Sequence, residues 1–184
     1  MNIFILDDNP IKAAQLQCDK HVVKMIVESA QMLSTAHRLL DGVFSIGVSK
    51  SGRKAKQWFH PKHDDLLYKA VHMGHPCTVW TMESVANYIW HYDHFMSLCY
   101  EYQYRYGKVH ATQTRLEDVL SIPPRNIPMD GLTPFRLAMG VSPECLDESN
   151  PVLSYRKFYQ TKQARFKMAW TKRDVPEWFK IILN

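Results

Sequence analysis

The sequence predicts a single, compact, all-α domain. Two long segments, from Asn9 to Gly42 and from Thr78 to Gly107, lie between residues that typically begin, break or end helices. No segment shows the sustained alternation of apolar and polar residues that is typical of a half-buried strand. The length of 184 residues suits one domain, and no internal repeat divides the chain. We therefore expect residues 1–184 to fold around one helical core.

The first long helix has the clearest end signals. Asn9 is a good N-cap, Pro10 suits the first helical position, and Gly42 is a good stop. Before this helix, residues 3–6 form a short apolar run that we expect to hold the N-terminus against the core. After it, residues 43–57 contain two glycines, four basic residues and few large apolar ones, which predicts a mobile surface loop.

Proline and glycine residues mark the boundaries of the remaining elements. They predict, in chain order, a helix over 62–73 broken by Gly74-His75-Pro76, a long helix from Thr78 to Tyr106 with Gly107 at its C′ position, irregular chain over 121–131, a short helix from Thr133-Pro134, and a helix from Asn150-Pro151 toward Trp170. We expect the last helix and the tail after it to form a basic, aromatic C-terminal region over 150–184.

The charge balance favours a polyanionic partner. The chain has 23 Lys and Arg residues against 18 Asp and Glu, a formal charge of +5 and a pI near 9.0. Five Trp, nine Tyr and eight Phe residues add side chains that can stack on bases, although most aromatic side chains in proteins pack in cores.

Cysteine usage and hydropathy indicate an intracellular protein. The four cysteines are widely spaced and form no C-x-x-C pair, so we expect reduced, mostly buried thiols. No charged stretch followed by an apolar one opens the chain, and no apolar run approaches the length of about 18 residues that spans a membrane. We therefore expect a cytoplasmic protein that contacts no membrane.

A stripe of polar side chains follows one face of the first helix, opposite its apolar face. Its members are His21, Lys24, Glu28, Gln31 and Thr35. A solvated helix face is the common interpretation of such a stripe. However, His21 and Glu28 stand two turns apart, about 10 Å along the axis, which suits a small reacting centre between them. A glutamate can act as acid or base, and an amine of lowered pKa can attack a sugar C1′.

The same helix carries a resemblance to a known family. The stretch Asp19-Lys20-His21-Val22-Val23-Lys24-Met25-Ile26-Val27-Glu28 resembles the pocket-lining helix of the pyrimidine-dimer DNA glycosylases called endonuclease V. Gly74-His75, the segment 101–107 and the segment 118–123 follow in that family's order and approximate spacing. The similarity is colinear over roughly the first two thirds of the chain, with an insertion at 43–57 and a longer C-terminal third.

The resemblance implies the endonuclease V fold and an enzyme that kinks duplex DNA, flips a nucleotide and attacks C1′ with the α-amine of its first residue. It assigns Glu28 to glycosidic cleavage and β-elimination, and His21 to orienting the substrate or Glu28. The family presents the amine of a small residue after Met removal, whereas Asn2 is a poor context for that removal. Met1 and Lys24 are therefore alternative nucleophiles. Met1 is preferred because α-amines lose their proton at about pH 8 and lysine amines at about pH 10.4.

Two further groups complete the predicted site. Polar and aromatic side chains on helix faces are expected to contact the substrate: Gln31, Asn87, Trp90, His91 and His94. Basic side chains, most of them in a stretch that alternates with aromatics and contains no acidic residue, are expected to bind DNA phosphates: Arg105, Arg156, Lys157, Arg165, Lys167, Lys172 and Arg173. Core packing for the first group and a solvated helix face for the second are the competing interpretations.

The spacing of the histidines keeps a metal enzyme among the possible functions. Three pairs of histidines are three residues apart, which on a helix lets both reach one metal, and one histidine forms a His-Asp dyad: His60/His63, His72/His75, His91/His94 and His63-Asp64. A metal phosphohydrolase would need further ligands, for which His37 and Asp93 are candidates, but Pro61 beside the dyad disfavours the helix that should hold it. We therefore expect neither a metal nor a cofactor.

The sequence thus predicts a DNA-base-directed enzyme, a DNA glycosylase with AP-lyase chemistry that acts on a flipped, damaged or modified pyrimidine in duplex DNA. Three alternatives stay open. They are a phage-type transferase that modifies a flipped pyrimidine on the same fold, the metal phosphohydrolase, and a non-catalytic nucleic-acid-binding module. We expect a monomer in the cytoplasm of a bacterium or a phage-infected cell.

Overall fold

The computed structural model describes residues 1–48 and 51–181, and within them the chain is mostly helical with one small sheet. The α-helices are α1 (Pro10–Gln15), α2 (Asp19–Asp41), α3 (Pro76–Glu83), α4 (Val85–Tyr106), α5 (Ala111–Leu120) and α6 (Pro151–Gln160). The strands are β1 (Val43–Val48) and β2 (Lys54–Phe59), and two 3-10 turns cover Pro143–Cys145 and Thr161–Ala164.

The core forms around α2, which packs against α3, α4 and α5. Its predicted apolar face is confirmed, because Val22, Ile26 and Leu33 are fully buried. Burying an aliphatic side chain of this size contributes roughly 1.5–3 kcal/mol. Residues 3–6 are buried as well, which confirms that this apolar run holds the N-terminus against the core. The Gln17 side chain also donates a hydrogen bond to the Ile3 carbonyl at 3.1 Å.

The prediction of one continuous first helix is wrong, because the chain breaks between α1 and α2. Asn9 caps α1 as predicted, with its side chain accepting two backbone N–H groups. At the break, side chains from distant parts of the chain bind the backbone groups that a continuous helix would pair. Trp170 donates to the Leu16 carbonyl at 2.9 Å, and Arg105 donates to the Gln17 carbonyl at 2.8 Å. These long-range bonds compensate for the interruption.

The chain is mostly helical as predicted, but the loop predicted at 43–57 is wrong, since this segment forms the hairpin of β1 and β2. The strands pair antiparallel with Phe44 opposite Trp58, whose ring centroids lie 5.1 Å apart. Gly52, with φ of +77°, lies in the turn. The alternation in each strand is only a few residues long, and glycine and lysine within it obscured the pattern. Residues 49–50 of the predicted loop lie outside the described residues.

The predicted helix over 62–73 does not form, because Arg38 holds this segment in turns. The Arg38 guanidinium is buried and donates to the carbonyls of Asp64, Leu67 and Tyr68 at 2.6–2.9 Å. It also pairs with the Asp64 carboxylate. These hydrogen bonds stabilise the turns of this segment.

The predicted helix from Thr78 to Tyr106 is two helices. Ser84 separates α3 from α4, and its side chain caps α4 by accepting the Asn87 N–H at 3.1 Å. The stop at Gly107 is confirmed, since this residue takes the left-handed conformation, with φ of +68°, that ends a helix.

The C-terminal third is less helical than predicted. No α-helix begins at Thr133-Pro134 among the described residues. The helix from Asn150-Pro151 ends at Gln160 instead of continuing to Trp170. The irregular chain over 121–131 is confirmed apart from the short turn that follows α5. All four cysteines are buried and unpaired, and no helix among the described residues is long and apolar enough to cross a membrane.

Candidate active site

A cavity of about 790 Å³ opens where the start of the chain meets α2, residues 137–141 and the region around the C-terminal end of α6. Its volume lies within the range of small-ligand sites. The four residues predicted to be catalytic all line this cavity: Met1, His21, Lys24 and Glu28. The structure therefore brings the predicted catalytic residues together. Met1 is among them, although it lies 27 positions before Glu28 and no helix spacing relates the two residues.

Glu28 lies beside the N-terminal nitrogen. The α-amino nitrogen of Met1 is 3.7 Å from Oε2 of Glu28, and the Met1 side chain is only 3% exposed. The next backbone N–H, of Asn2, donates to the same carboxylate oxygen at 2.9 Å. The Asn2 side chain in turn donates to the Ala138 carbonyl at 2.9 Å and accepts the Phe4 N–H at 2.9 Å. These bonds fix the amine against the carboxylate.

Lys24 stands one turn before Glu28 on α2, with its Nζ 3.0 Å from Oε1 of Glu28. Its side chain is 63% exposed. The carboxylate is thus placed between two amines, the α-amine of the partly buried Met1 at Oε2 and the ε-amine of the mostly exposed Lys24 at Oε1.

His21 contributes a neutral ring to the cavity wall. Its Nδ1 lies 2.7 Å from the Tyr159 hydroxyl oxygen, which also accepts the Cys18 N–H at 2.8 Å. When the hydroxyl donates its proton to Nδ1, the neutral ring carries its own proton on Nε2, which is then an N–H donor. Burial, with a contribution from nearby Lys24 and Lys162, lowers the pKa of His21 to about 3. His21 can orient a ligand as a hydrogen-bond donor but does not act as an acid near neutral pH.

Phe4 is held in an unusual backbone conformation next to His21. Its φ is +56°, in the left-handed region that residues other than glycine rarely adopt. The ring is buried, stacks on His21 with centroids 4.7 Å apart, and meets Tyr159 edge-on at 5.1 Å. The strained turn aims the segment that carries Met1 into the cavity.

Two ionisable residues of the cavity, His75 and Lys162, were not predicted as site residues. His75 caps α3 by accepting the Cys77 N–H at 3.2 Å and also hydrogen-bonds the Met1 backbone. Burial, together with the nearby N-terminal amine, lowers the pKa of His75. His75 was predicted within the Gly74-His75-Pro76 helix break and the His72/His75 spacing, and Lys162 lay within the basic C-terminal stretch, but neither signal pointed to the cavity.

The predicted substrate-binding residues lie elsewhere, and the core-packing interpretation is correct for most of them. Asn87, Trp90, His91 and His94 are buried on α4, away from the cavity. Each has a structural partner: the Asn87 side chain bonds Trp80 and Thr133, Trp90 donates to the Asp8 carbonyl, His91 lies 2.7 Å from the Thr81 hydroxyl, and His94 bonds Gln17 and the Pro10 carbonyl. Gln31 is partly exposed and does not line the cavity.

The predicted DNA-binding residues divide into two groups. Arg105 is buried and pairs with Asp19 and Glu101, so it stabilises the fold and is not placed to reach DNA. Three more have partners within the protein: Arg156 forms an ion pair with Asp7, Arg173 forms one with Glu101, and Lys172 donates a hydrogen bond to the Tyr104 carbonyl. Lys157, Arg165, Lys167 and Lys172 are exposed, and of these Arg165 lines the cavity.

Among the described residues, one group outside the cavity has metal-ligating chemistry. Ligand atoms of His37, Asp41 and His60 lie within 4.8 Å of one another. Backbone N–H groups already donate to His60 Nδ1 and to both oxygens of Asp41, so a metal would compete with these bonds. In the predicted His-Asp dyad, Asp64 is paired with Arg38 instead.

A second cavity, of about 460 Å³, lies under the hairpin. It is lined by Trp58, Tyr68, Arg115 and the Arg38–Asp64 pair, among others. Its one acidic residue, Asp64, pairs with Arg38, and among the described residues neither lysine of the lining, Lys56 or Lys69, forms an ion pair with a carboxylate. The chemistry of the described residues is therefore concentrated in the cavity at Met1.

Comparison with known protein families, with curated proteins and with solved structures finds no match to this chain.

Proposed function

We propose that the protein is a DNA-base-directed enzyme in which the α-amine of Met1 attacks C1′ of a flipped nucleotide and Glu28 transfers the protons. The observation that carries the proposal is the 3.7 Å approach of this amine to Glu28 inside a cavity of about 790 Å³. A nucleophile with an acid/base group within ion-pair distance is the minimum that glycosylase and lyase chemistry requires. The resemblance of residues 19–28 to the endonuclease V helix gives independent support.

The first step is displacement of the base. The amine nitrogen bonds to C1′ as the bond from C1′ to the base nitrogen breaks, and the base leaves with the electron pair and takes up a proton. Glu28 accepts a proton from the new ammonium and returns it to O4′ as the sugar ring opens. The product of this step is an iminium between the amine nitrogen and C1′.

The second step is strand cleavage. Glu28 removes a proton from C2′, the electron pair forms a double bond to C3′, and the bond from C3′ to its phosphate oxygen breaks. Water then adds to the iminium and releases the sugar as an aldehyde, which restores the amine. One carboxylate therefore serves as base and acid in turn, as its contact with the amine allows.

Lys24 is the weaker candidate nucleophile. A lysine amine becomes nucleophilic when burial or a neighbouring cation removes its proton, whereas Lys24 is mostly exposed and ion-paired with Glu28. We assign Lys24 to holding the carboxylate and to meeting the negative charge of DNA. His21, as a neutral donor, is assigned to orienting the sugar or base.

The direct test is single-turnover strand cleavage on a duplex with one abasic site. We expect the wild-type protein to convert the strand to the β-elimination product, resolved on a denaturing gel. Glu28→Gln should slow cleavage by about 10²–10⁴-fold, the usual contribution of a general acid/base, while duplex affinity stays within a few-fold. Lys12→Ala, at an exposed position outside the cavity, is the matched control. Cleavage at the wild-type rate by the Gln variant would refute the role of Glu28.

A further inference from the structure

Lys162 is a buried cation without a carboxylate partner. The residue is 8% exposed, it lines the cavity, and its ammonium lies 3.3 Å from the centroid of the Phe158 ring. Within residues 1–48 and 51–181 no acidic side chain pairs with it. Burial, and secondarily the nearby Arg165, lowers the pKa of Lys162 to about 8. Holding a charge here costs folding free energy that no internal ion pair returns.

The cavity as a whole carries an excess of positive charge, as Lys162 does. Four positive groups line it: the Met1 amine, Lys24, Lys162 and Arg165. Glu28 is the only acidic residue among the lining residues of the described chain, and it is already in contact with Met1 and Lys24. Lys162 and Arg165, on the side formed by the end of α6, therefore have no counter-charge. A cavity with this imbalance attracts an anion.

We propose that Lys162 and Arg165 form a phosphate subsite of this cavity, with the neutral Nε2–H of His21 as a third donor. The identification of the ligand as a nucleotide rests on the proposed function, whereas the need for an anion rests on the unpaired cations alone. An arginine fork and a lysine ammonium are the donors that phosphate oxygens prefer. Lys162 and Lys24 both act electrostatically on His21, which indicates that the subsite adjoins the ring.

The phosphate can come from two sources, the phosphodiester of a DNA strand or the monoester of a free nucleotide. The chemistry of the subsite is common to both. In the strand, the phosphate beside the flipped nucleotide would be held at the end of α6 while C1′ faces the Met1 amine. Such a clamp would fix the sugar relative to Glu28 without contacting the base.

Calorimetry with thymidine 5′-monophosphate, thymidine and inorganic phosphate tests the subsite in the full-length protein. We expect the monophosphate to bind the wild type on the order of 10- to 100-fold more tightly than thymidine, as charge-assisted hydrogen bonds to one phosphate provide. Lys162→Met keeps an unbranched side chain over Phe158 and should reduce this preference to within about twofold. Inorganic phosphate should bind the wild type and not this variant. Lys162→Arg should retain most of the preference, and Lys12→Met, at an exposed position outside the cavity, should retain all of it.

A duplex with one tetrahydrofuran abasic site separates the two sources. If Lys162→Met weakens binding of the duplex as much as binding of the monophosphate, the strand supplies the phosphate. If the substitution weakens binding of the monophosphate alone, a free nucleotide supplies the phosphate. An unchanged preference for the monophosphate in Lys162→Met would overturn the subsite.

Thermal unfolding separates the subsite from a packing role. Removal of an unpaired buried charge should leave the Tm of Lys162→Met at or above that of the wild type. A marked fall in Tm together with lost binding would assign Lys162 to packing and overturn the proposal. The cleavage assay on abasic DNA distinguishes the two hypotheses. If the wild-type protein cleaves abasic DNA but binds the monophosphate no more tightly than thymidine, only the subsite is refuted. If it prefers the monophosphate but does not cleave abasic DNA, only the proposed function is refuted.

Discussion

Extending the chain by one glycine before Met1 should abolish cleavage while leaving the fold intact. The α-amine would become an amide, which is not nucleophilic, and the new amine would start up to about 3.8 Å farther along the chain. The original nitrogen lies 3.7 Å from Glu28, so the displacement is as large as the contact itself. The segment cannot slide back to compensate, because Asn2 is bonded to both Glu28 and Ala138 and residues 3–6 are buried.

The expected loss is at least about 10²-fold in the single-turnover rate, or about 2.7 kcal/mol in the barrier, since misplacing a reacting group by 1 Å can already cost this much. Denaturing gels on an abasic duplex measure the rate, and circular dichroism verifies the fold. As a matched control, a protease site placed so that cleavage regenerates Met1 as the first residue should restore activity. An extended protein that cleaves at the wild-type rate would refute the assignment of the Met1 amine.

Three further predictions concern stability and binding. Because the folded pKa of His21 lies near 3, below its ordinary 6.5, the unfolded chain takes up a proton first, so stability should fall as pH drops from about 6.5 toward 3. The slope is about 1.4 kcal/mol per pH unit, and His21→Gln should flatten the urea-unfolding profile by that amount. Arg105→Met should cost about 3 kcal/mol in unfolding free energy, because it removes a partner from the buried carboxylate of Glu101. An unchanged Tm would contradict this. Replacing Arg165 and Lys167 together with Ala should reduce the slope of log K against log salt for duplex binding by about one to two; an unaltered slope would locate the DNA path elsewhere.

The catalytic group could be predicted from sequence where local geometry determines it. His21, Lys24 and Glu28 share one helix face, and the cavity contains all three. The position of Met1 was predicted only through the resemblance, since the contact to Glu28 depends on the buried turn at Phe4 and on the Asn2 hydrogen bonds. Lys162 could not be distinguished from its basic neighbours, because charge in a sequence does not show whether a partner is present.

Several of the errors have a physical origin in long-range bonds from single side chains. Arg38 binds turns in the segment where a helix was predicted, and Arg105 and Trp170 bind the carbonyls at the point where the first helix breaks. Arg105 itself was predicted to bind DNA because an arginine that serves the core looks the same in sequence as one on the surface. Likewise, the polar face of α4 suggested a pocket, whereas Asn87, His91 and His94 are buried and hydrogen-bonded to groups within the core.

Borohydride trapping followed by peptide mapping tests the central claim most directly. Reduction during reaction with abasic DNA should fix the sugar to the protein through a stable amine, and mass spectrometry of the digested adduct should locate it on the α-nitrogen of Met1. Lys24→Ala should still form this adduct, while the glycine extension should not form it. An adduct on Lys24 or Lys162, or none on abasic, dimer-containing or modified DNA, would contradict the proposed mechanism.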